Sequence, residues 1–325
     1  MNLTMNINFV SATRAASSLA LAVLLIASSN TFLAHAQKRR ARPASTTNVS
    51  PRSITIRTEP QAIVWLDEVR RGVSDQSGKL DITKVLPGRH ALRVRAAGFS
   101  ERTLPVLPAQ RGLITIKLTR TTDAAELAFQ EAEALREKAH DDESKQAAKA
   151  AYERALRLRP AHPAARVGLA RVMLELNDYN AALAEIAAAR RTRPVYPEAS
   201  AVEGRILRED ADPAGAITAF RRSIREARGL QPEAHTGLAR VLEDQGKYAE
   251  ATTEFRTAIN QLSDTEPALY QLLGAAYEKQ QNYKEAVAAY EKYLQLAPEG
   301  TYASAIRSFI DQLKKQAAEQ QTPQV

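Results

Sequence analysis

The spacing of apolar residues changes character three times along this 325-residue chain. Leu19 to Ala27, LALAVLLIA, is a solid apolar run preceded by Arg14 and followed by LAHAQ. The stretch at 37–52, QKRRARPASTTNVSPR, has no apolar period and is rich in basic residues, Pro, Ser and Thr. Such a composition predicts a disordered basic linker, because it buries too little to offset chain entropy. From Ser53 the period becomes two. SITIRT, HALRVRAAGF and LITIKLT alternate, and AIVWLD is a short buried-strand type, so one sheet face is apolar. SDQSGK, LPGRH and LPAQRG punctuate these runs as turns. Four or five short strands are predicted within 53–120, with Trp65 in their core.

After RTTD at 120–123 the period turns helical and stays so to about Gln316. A large–small–large spacing recurs inside it. Leu273, Gly274, Tyr277, Ala286, Tyr290 and Pro298 form one copy. Moving back 35 residues gives Leu238, Ala239, Leu242, Ala251 and Phe255; another 35 gives Gly204, Leu207, Ala216 and Phe220. Two further steps of 34 reach Leu169, Ala170, Met173, Ala182 and Ile186, then Ala148, Tyr152, Ala155 and Pro160. Small residues let two helices approach, large ones fill the gap, and proline stops the second helix. Five helix-turn-helix copies are predicted over 124–298. A cap helix at 299–317 and a disordered tail at 318–325 follow, since an array must cover its last apolar face.

Two resemblances emerge from these residues. TEPQAIVWLDEVRRG, VLPGRHALRVRAAGF and a closing strand after Gly112 together resemble the PEGA domain, a small β-sandwich module common in bacterial envelope proteins. Leu66-Asp67 and Leu86-Pro87-Gly88-x-His90 carry the match. Glu59-Pro60-Gln61-Ala62 keeps only the alanine of the naming tetrapeptide, and Glu68 stands where that family has a turn glycine. The helical copies resemble the tetratricopeptide repeat (TPR). The combination implies a multidomain fold, a small all-β sandwich followed by an all-α solenoid. It also implies a non-catalytic interaction scaffold or adaptor of the bacterial cell envelope. The alternative is a glycan- or peptidoglycan-binding module in which the β domain and basic linker grip the polymer and the repeats act as a spacer.

Composition narrows the compartment and the chemistry. Cysteine is absent, which excludes disulfides, a thiol nucleophile and a lipid-modified cysteine. The apolar run is shorter than the roughly 20 residues a bilayer span takes. Ala34 and Ala36 supply the small residues of a signal peptidase site, so cleavage is expected between Ala36 and Gln37. The processed protein is then periplasmic or secreted, with no transmembrane span; the alternative is an anchor formed by an uncleaved N-terminus, which the basic KRRAR at 38–42 favours. The formal charge of +8 is spread along the chain, so no nucleic-acid partner is expected.

Candidate chemistry fails residue by residue. GVSDQSGKL has one residue too many for a phosphate loop and Leu80 in place of the hydroxyl. HDDE at 140–143 lacks further ligands for a hard cation, and His90, His140, His162 and His235 show no metal-ligand spacing. No nucleophile triad or elbow is present. Neither enzymatic activity nor a cofactor or metal is expected.

The TPR resemblance implies a concave groove lined by the first helix of each copy, holding a protein or peptide partner. Arg171, Arg205 and Arg240 fall at one register position of three successive first helices. Four residues later stand Glu175, Glu209 and Asp244, and Gln271 joins the candidate set from the last copy. Neighbouring helices about 10 Å apart leave room for an acidic partner group between two arginines. Equally, each arginine is placed to pair with the acid on its own helix, worth a few tenths of a kcal/mol. The export reading is tested at the N-terminus of the native protein. Mass spectrometry is expected to find Gln37 first, in a non-cytoplasmic fraction; an intact Met1 or Asn2 in membranes would establish the anchor instead.

Overall fold

The computed structural model describes residues 52–85, 88–262 and 265–321. The expected signal segment with Ala36 and Gln37, the linker up to 51, Leu86-Pro87 and the last tail residues lie outside them.

Among the described residues, seven strands form two sheets. The three-stranded sheet has the order β4 (Lys79–Val85), β1 (Arg52–Arg57), β7 (Gly112–Thr115), with β1 parallel to β7. The four-stranded sheet is antiparallel in the order β3 (Val69–Val73), β2 (Ile63–Leu66), β5 (His90–Arg95), β6 (Arg102–Val106). Ile54, Ile56, Ile82 and Ile114 of the first meet Val64, Leu66, Leu92 and Val94 of the second in one core. The count exceeds the four or five strands expected. β3, β4 and β6 were not foreseen, and all three are sheet edges. Edges carry charge and proline that blunt alternation; here these are Arg70, Lys79, Asp81 and Pro105.

Trp65 is not in that core. Val64 and Leu66 point inward, so period-two geometry turns Trp65 to the outer face of its sheet. The β2–β3 hairpin turns at Asp67 and Glu68, both left-handed at φ 53° and 65°. Two-residue hairpin turns of this hand match strand twist. Asp67 is held in it by Ala91 N donating to Oδ1 at 2.8 Å and by His90 Nδ1 at 2.5 Å from Oδ2.

Ten helices then stack in antiparallel pairs. They are α1 (Ala124–Lys138) with α2 (Asp142–Leu158), α3 (Pro163–Glu175) with α4 (Tyr179–Thr192), and α5 (Pro197–Glu209) with α6 (Pro213–Glu226). The last two pairs are α7 (Pro232–Asp244) with α8 (Tyr248–Leu262), and α9 (Pro267–Lys279) with α10 (Tyr283–Leu296). Side chains of Asp123, Asp141, His162, Asp178 and Asp212 cap helix starts, satisfying amides that have no partner within the helix. Pro163, Pro197, Pro232 and Pro267 open α3, α5, α7 and α9, where a missing N–H costs nothing. These prolines repeat the 34–35-residue spacing. The closing helix α11 (Ala303–Gln321) continues past 317, so the expected tail is helical to Gln321. Ile306, Ile310 and Leu313 cover Tyr290 and Tyr293 of the last pair.

Phe220 shows why the small positions are small. Its ring is fully buried between α5 and α7, and a Cβ at Gly204 or Gly237 would lie 2.7 or 2.2 Å from it. Gly237→Ala therefore sets packing against propensity. Helix propensity favours Ala by about 1 kcal/mol, while overpacking a core costs about 1–3 kcal/mol. We expect packing to win, with a lower urea midpoint for Gly237→Ala and recovery in Gly237→Ala/Phe220→Leu. A midpoint raised by Gly237→Ala alone would overturn this account of the spacing.

Candidate partner-binding groove

The first helix of every pair contributes to one wall of a cavity of about 930 Å3. Phe129 comes from α1, Arg171 from α3, Arg205 from α5, Arg240 from α7 and Leu269 from α9. The opposite wall is the outer face of the β2–β3–β5 sheet, with Trp65, Arg93 and Arg95. A groove lined by first helices, as the TPR resemblance implies, is present, and the chain's own β domain faces it.

Arginine and glutamate alternate over the helical wall. Arg171 donates to both carboxylate oxygens of Glu233 at 2.9 Å and to Glu198 at 3.3 Å. Burial opposes the charge on Glu233, but the Arg171 charge and hydrogen bonds override it, helped by Arg205, and hold its pKa down at about 2. Burial likewise opposes the Arg171 cation, and Glu233 and Glu198 outweigh it. Arg205 meets Glu233 at 3.4 Å and is 42% exposed. Arg208 pairs with Glu209 at 2.8 Å and with Asp244 at 2.9 Å. Arg240 lines the cavity with no hydrogen bond or ion pair to any described residue.

These pairs correct the expectation of acids neutralising arginines four residues back. Glu209 and Asp244 both serve Arg208, and Arg171 reaches Glu198 on α5 and Glu233 on α7 rather than Glu175. Of the candidate residues, Arg171, Arg205, Arg240 and Glu209 line the cavity; Glu175, Asp244 and Gln271 do not. Glu198, Glu233 and Arg208 were missed. Their signal was present, since Glu198 and Glu233 each follow the proline that opens a first helix. Among the described residues, no group of three or more His, Asp or Glu side chains forms a metal-binding arrangement.

Arginine contacts and one glutamine join the β domain to the helices: Gln130 of α1 accepts from Gly98 N and donates to the carbonyl of Phe99, both at 2.8 Å. Arg95 meets Glu133 of α1 at 3.1 Å and lies 5.0 Å from both the Trp65 and Phe129 rings, within cation–π range. Arg70 meets Glu137 at 3.0 Å, and Arg71 donates to the carbonyl of Gln261, in the last turn of α8, at 3.0 Å. The short segment at 120–123 was expected to join units with few crossing contacts. The observed contacts run through three long arginine side chains and, close to that segment, through Gln130.

The depressed Glu233 pKa carries a pH signature. A carboxylate lowered on folding stabilises fully above the ordinary value near 4.3, and that share is lost as pH falls from about 5 toward 2. Glu233→Gln is expected to lower unfolding stability at pH 7 by roughly 1.5–3 kcal/mol, the worth of a charged hydrogen bond. It should also lose less than wild type between pH 7 and pH 3, as read by urea denaturation at both. Parallel losses in the two proteins would remove Glu233 from the acid transition.

Comparison with known proteins agrees with this geometry. Tetratricopeptide repeat models match residues 139–206, 201–267 and 267–299. Comparison with curated protein sequences gave no match. Among solved structures, PilW, described as a widely conserved type IV pilus biogenesis factor, aligns with TM-score 0.52 at 15% identity, over 61% of this chain and 91% of that one. PilF of Pseudomonas aeruginosa aligns with TM-score 0.50 at 17% identity, over 60% and 88%. A chain of the APC/C hetero-tetramer Cut9–Hcn1 aligns with TM-score 0.51 at 16% identity, over 63% and 38%. At such identities the likeness shows a shared fold and nothing of partners. The 34–35-residue spacing, the paired helices and the matching models lead to one conclusion: residues 139–299 are tetratricopeptide repeats within an all-α solenoid.

Proposed function

We propose that this protein is a non-catalytic scaffold of the bacterial cell envelope, binding an acidic group of a protein partner at the Arg205–Arg240 wall of its groove. TPR repeats support a protein-interaction role in general. Arg240 carries the finer reading: a guanidinium on the cavity wall that forms no hydrogen bond or ion pair with a described residue and feels Glu243 of its own helix only through space, one first helix away from the half-exposed Arg205. A carboxylate arriving there displaces only one long ion pair. Arg171, bound by two carboxylates, belongs to the architecture instead.

Export through the N-terminal apolar run and a PEGA-like identity for the β domain complete this reading; Leu66-Asp67 and Gly88-x-His90 are the residues that support the latter. The Asp67–His90 contact joins the two halves of that pattern. The glycan-binding alternative finds no exposed aromatic surface at Trp65, which faces the cavity with Arg93 4.1 Å from its ring centroid.

Cross-linking in intact cells identifies the partner, and calorimetric titration then tests the site. Arg205→Ala/Arg240→Ala is expected to weaken binding at least tenfold, with roughly 1.5–3 kcal/mol per lost charge-assisted bond and little change in melting. Added salt should weaken the wild-type complex. Unchanged affinity in the double variant would place the partner elsewhere on the protein.

A further inference from the structure

The β domain meets the groove in a way that folding of either part does not require. Arg95 is among the most enclosed arginines of the chain, 8% exposed, yet it sits on the outer face of β5. Leu92 and Val94 fill the sheet's own core, so Arg95 owes its cover to Trp65 beside it and to Phe129 and Glu133 of α1. Glu133 in turn is largely enclosed, its side chain 20% exposed, and Arg95 and Arg136 hold its carboxyl below the ordinary range against desolvation.

The hairpin is shaped for the same contact. In β3, Arg70 opposes Trp65 and Gly72 opposes Val64, leaving Arg71 as the extra residue of a bulge. A bulge re-aims side chains, and here two consecutive arginines both reach helices. Arg70 goes to α1 and Arg71 to the C-terminal turn of α8, where carbonyls carry partial negative charge. The hairpin spans the groove between the first and fourth helix pairs.

The seam is nevertheless polar: its arginine contacts are joined by Gln130 of α1, bonded to Gly98 N and Phe99 O beside the 120–123 connection. The Arg70–Glu137 pair is roughly half exposed on both sides, a class of ion pair worth little. Arg71 Nε and Gln261 Oε1 are both buried without a hydrogen-bond partner, so the fit at the α8 end is incomplete. Apolar burial is the usual source of a permanent domain interface; here the two aromatic rings at the seam, Trp65 and Phe129, both stack on Arg95.

From this geometry we propose that the acidic end of the groove, Glu133 and Glu137 on α1, is a docking surface for guanidinium groups. Its resident occupant is the β domain of the same chain, presenting Arg70, Arg71 and Arg95, and it undocks reversibly. Docked, the sheet walls the cavity at Trp65 and limits entry toward Arg205 and Arg240; undocked, it opens the groove along its length. A partner that presents its own arginines or lysines to Glu133 and Glu137 competes with the β domain and holds the groove open. The gating role rests on the groove being the partner site, whereas the docking itself does not.

The cysteine-free chain permits a direct test on the full-length protein. Spin labels at Gln76→Cys and Gln245→Cys, both exposed turn positions, report the separation of the β domain from the solenoid without any partner. Wild type at low salt is expected to give one narrow distance distribution. Arg95→Glu, which faces Glu133 with a like charge, should shift it to longer, broader distances while circular dichroism stays unchanged. Salt at 1 M, where screening acts within about 3 Å, should move wild type the same way. Arg70→Glu should open the protein partly, and Arg70→Glu/Glu137→Arg should close it again. An unmoved distribution in a folded Arg95→Glu protein, or no recovery in the charge-swapped pair, would overturn the proposal. So would a label-to-label signal between mixed, singly labelled chains, which would assign the docking to a second copy. Because the readout needs no partner, failure of the partner titration with normal opening would refute only the binding site.

Discussion

A charge withdrawn from water must meet its opposite, and that constraint organises the interior wall of this protein. Arg171 is the central case. Its fork reaches past the neighbouring first helix to grip both oxygens of Glu233 on α7, with Glu198 of α5 alongside. One guanidinium thereby ties three successive first helices. Each ion alone would be costly at this depth, and together they tolerate it. The register of α3, α5 and α7 is therefore set electrostatically on the groove side as well as sterically behind it.

The steric side is the repeat itself. Phe220 lies between Gly204 and Gly237 with no room for another methyl group, and the alanines at equivalent positions are fully buried. Close approach at every repeat brings the first helices side by side. Side chains at one register position then face one cavity. The wall of arginines is thus a by-product of helix pitch, and its open members are those that tertiary pairing left over.

The β domain joins the arrangement by the same rule. Its core is apolar and self-contained, so it needs nothing from the helices to fold. On its outer face Arg93 pairs within the domain, with Glu68 and Glu101, whereas Arg95 and Arg70 find their carboxylates on α1. Long side chains bridge the gap, which makes the contact specific in charge and modest in buried apolar area. A contact of that kind suits a domain that closes a groove without sealing it.

Much of this was legible in residue order. The period-two stretch, the helical period and the 34–35-residue recurrence follow from local geometry, where the side-chain direction of each residue is fixed by its own backbone. The same logic located β1, β2, β5 and β7 and the arginine positions of α3, α5 and α7. It failed at edge strands, whose exposed faces need no alternation, and at Trp65, whose inward or outward direction depends on which neighbours fill the core. It also failed on the partners of the arginines. Spacing along one helix shows only the acids four residues away, whereas Arg171 chose Glu233, 62 residues on. Local sequence determines where a long charged side chain starts. Only the packed structure decides where it ends, because burial makes the nearest opposite charge in space the strongest partner, whatever its distance along the chain.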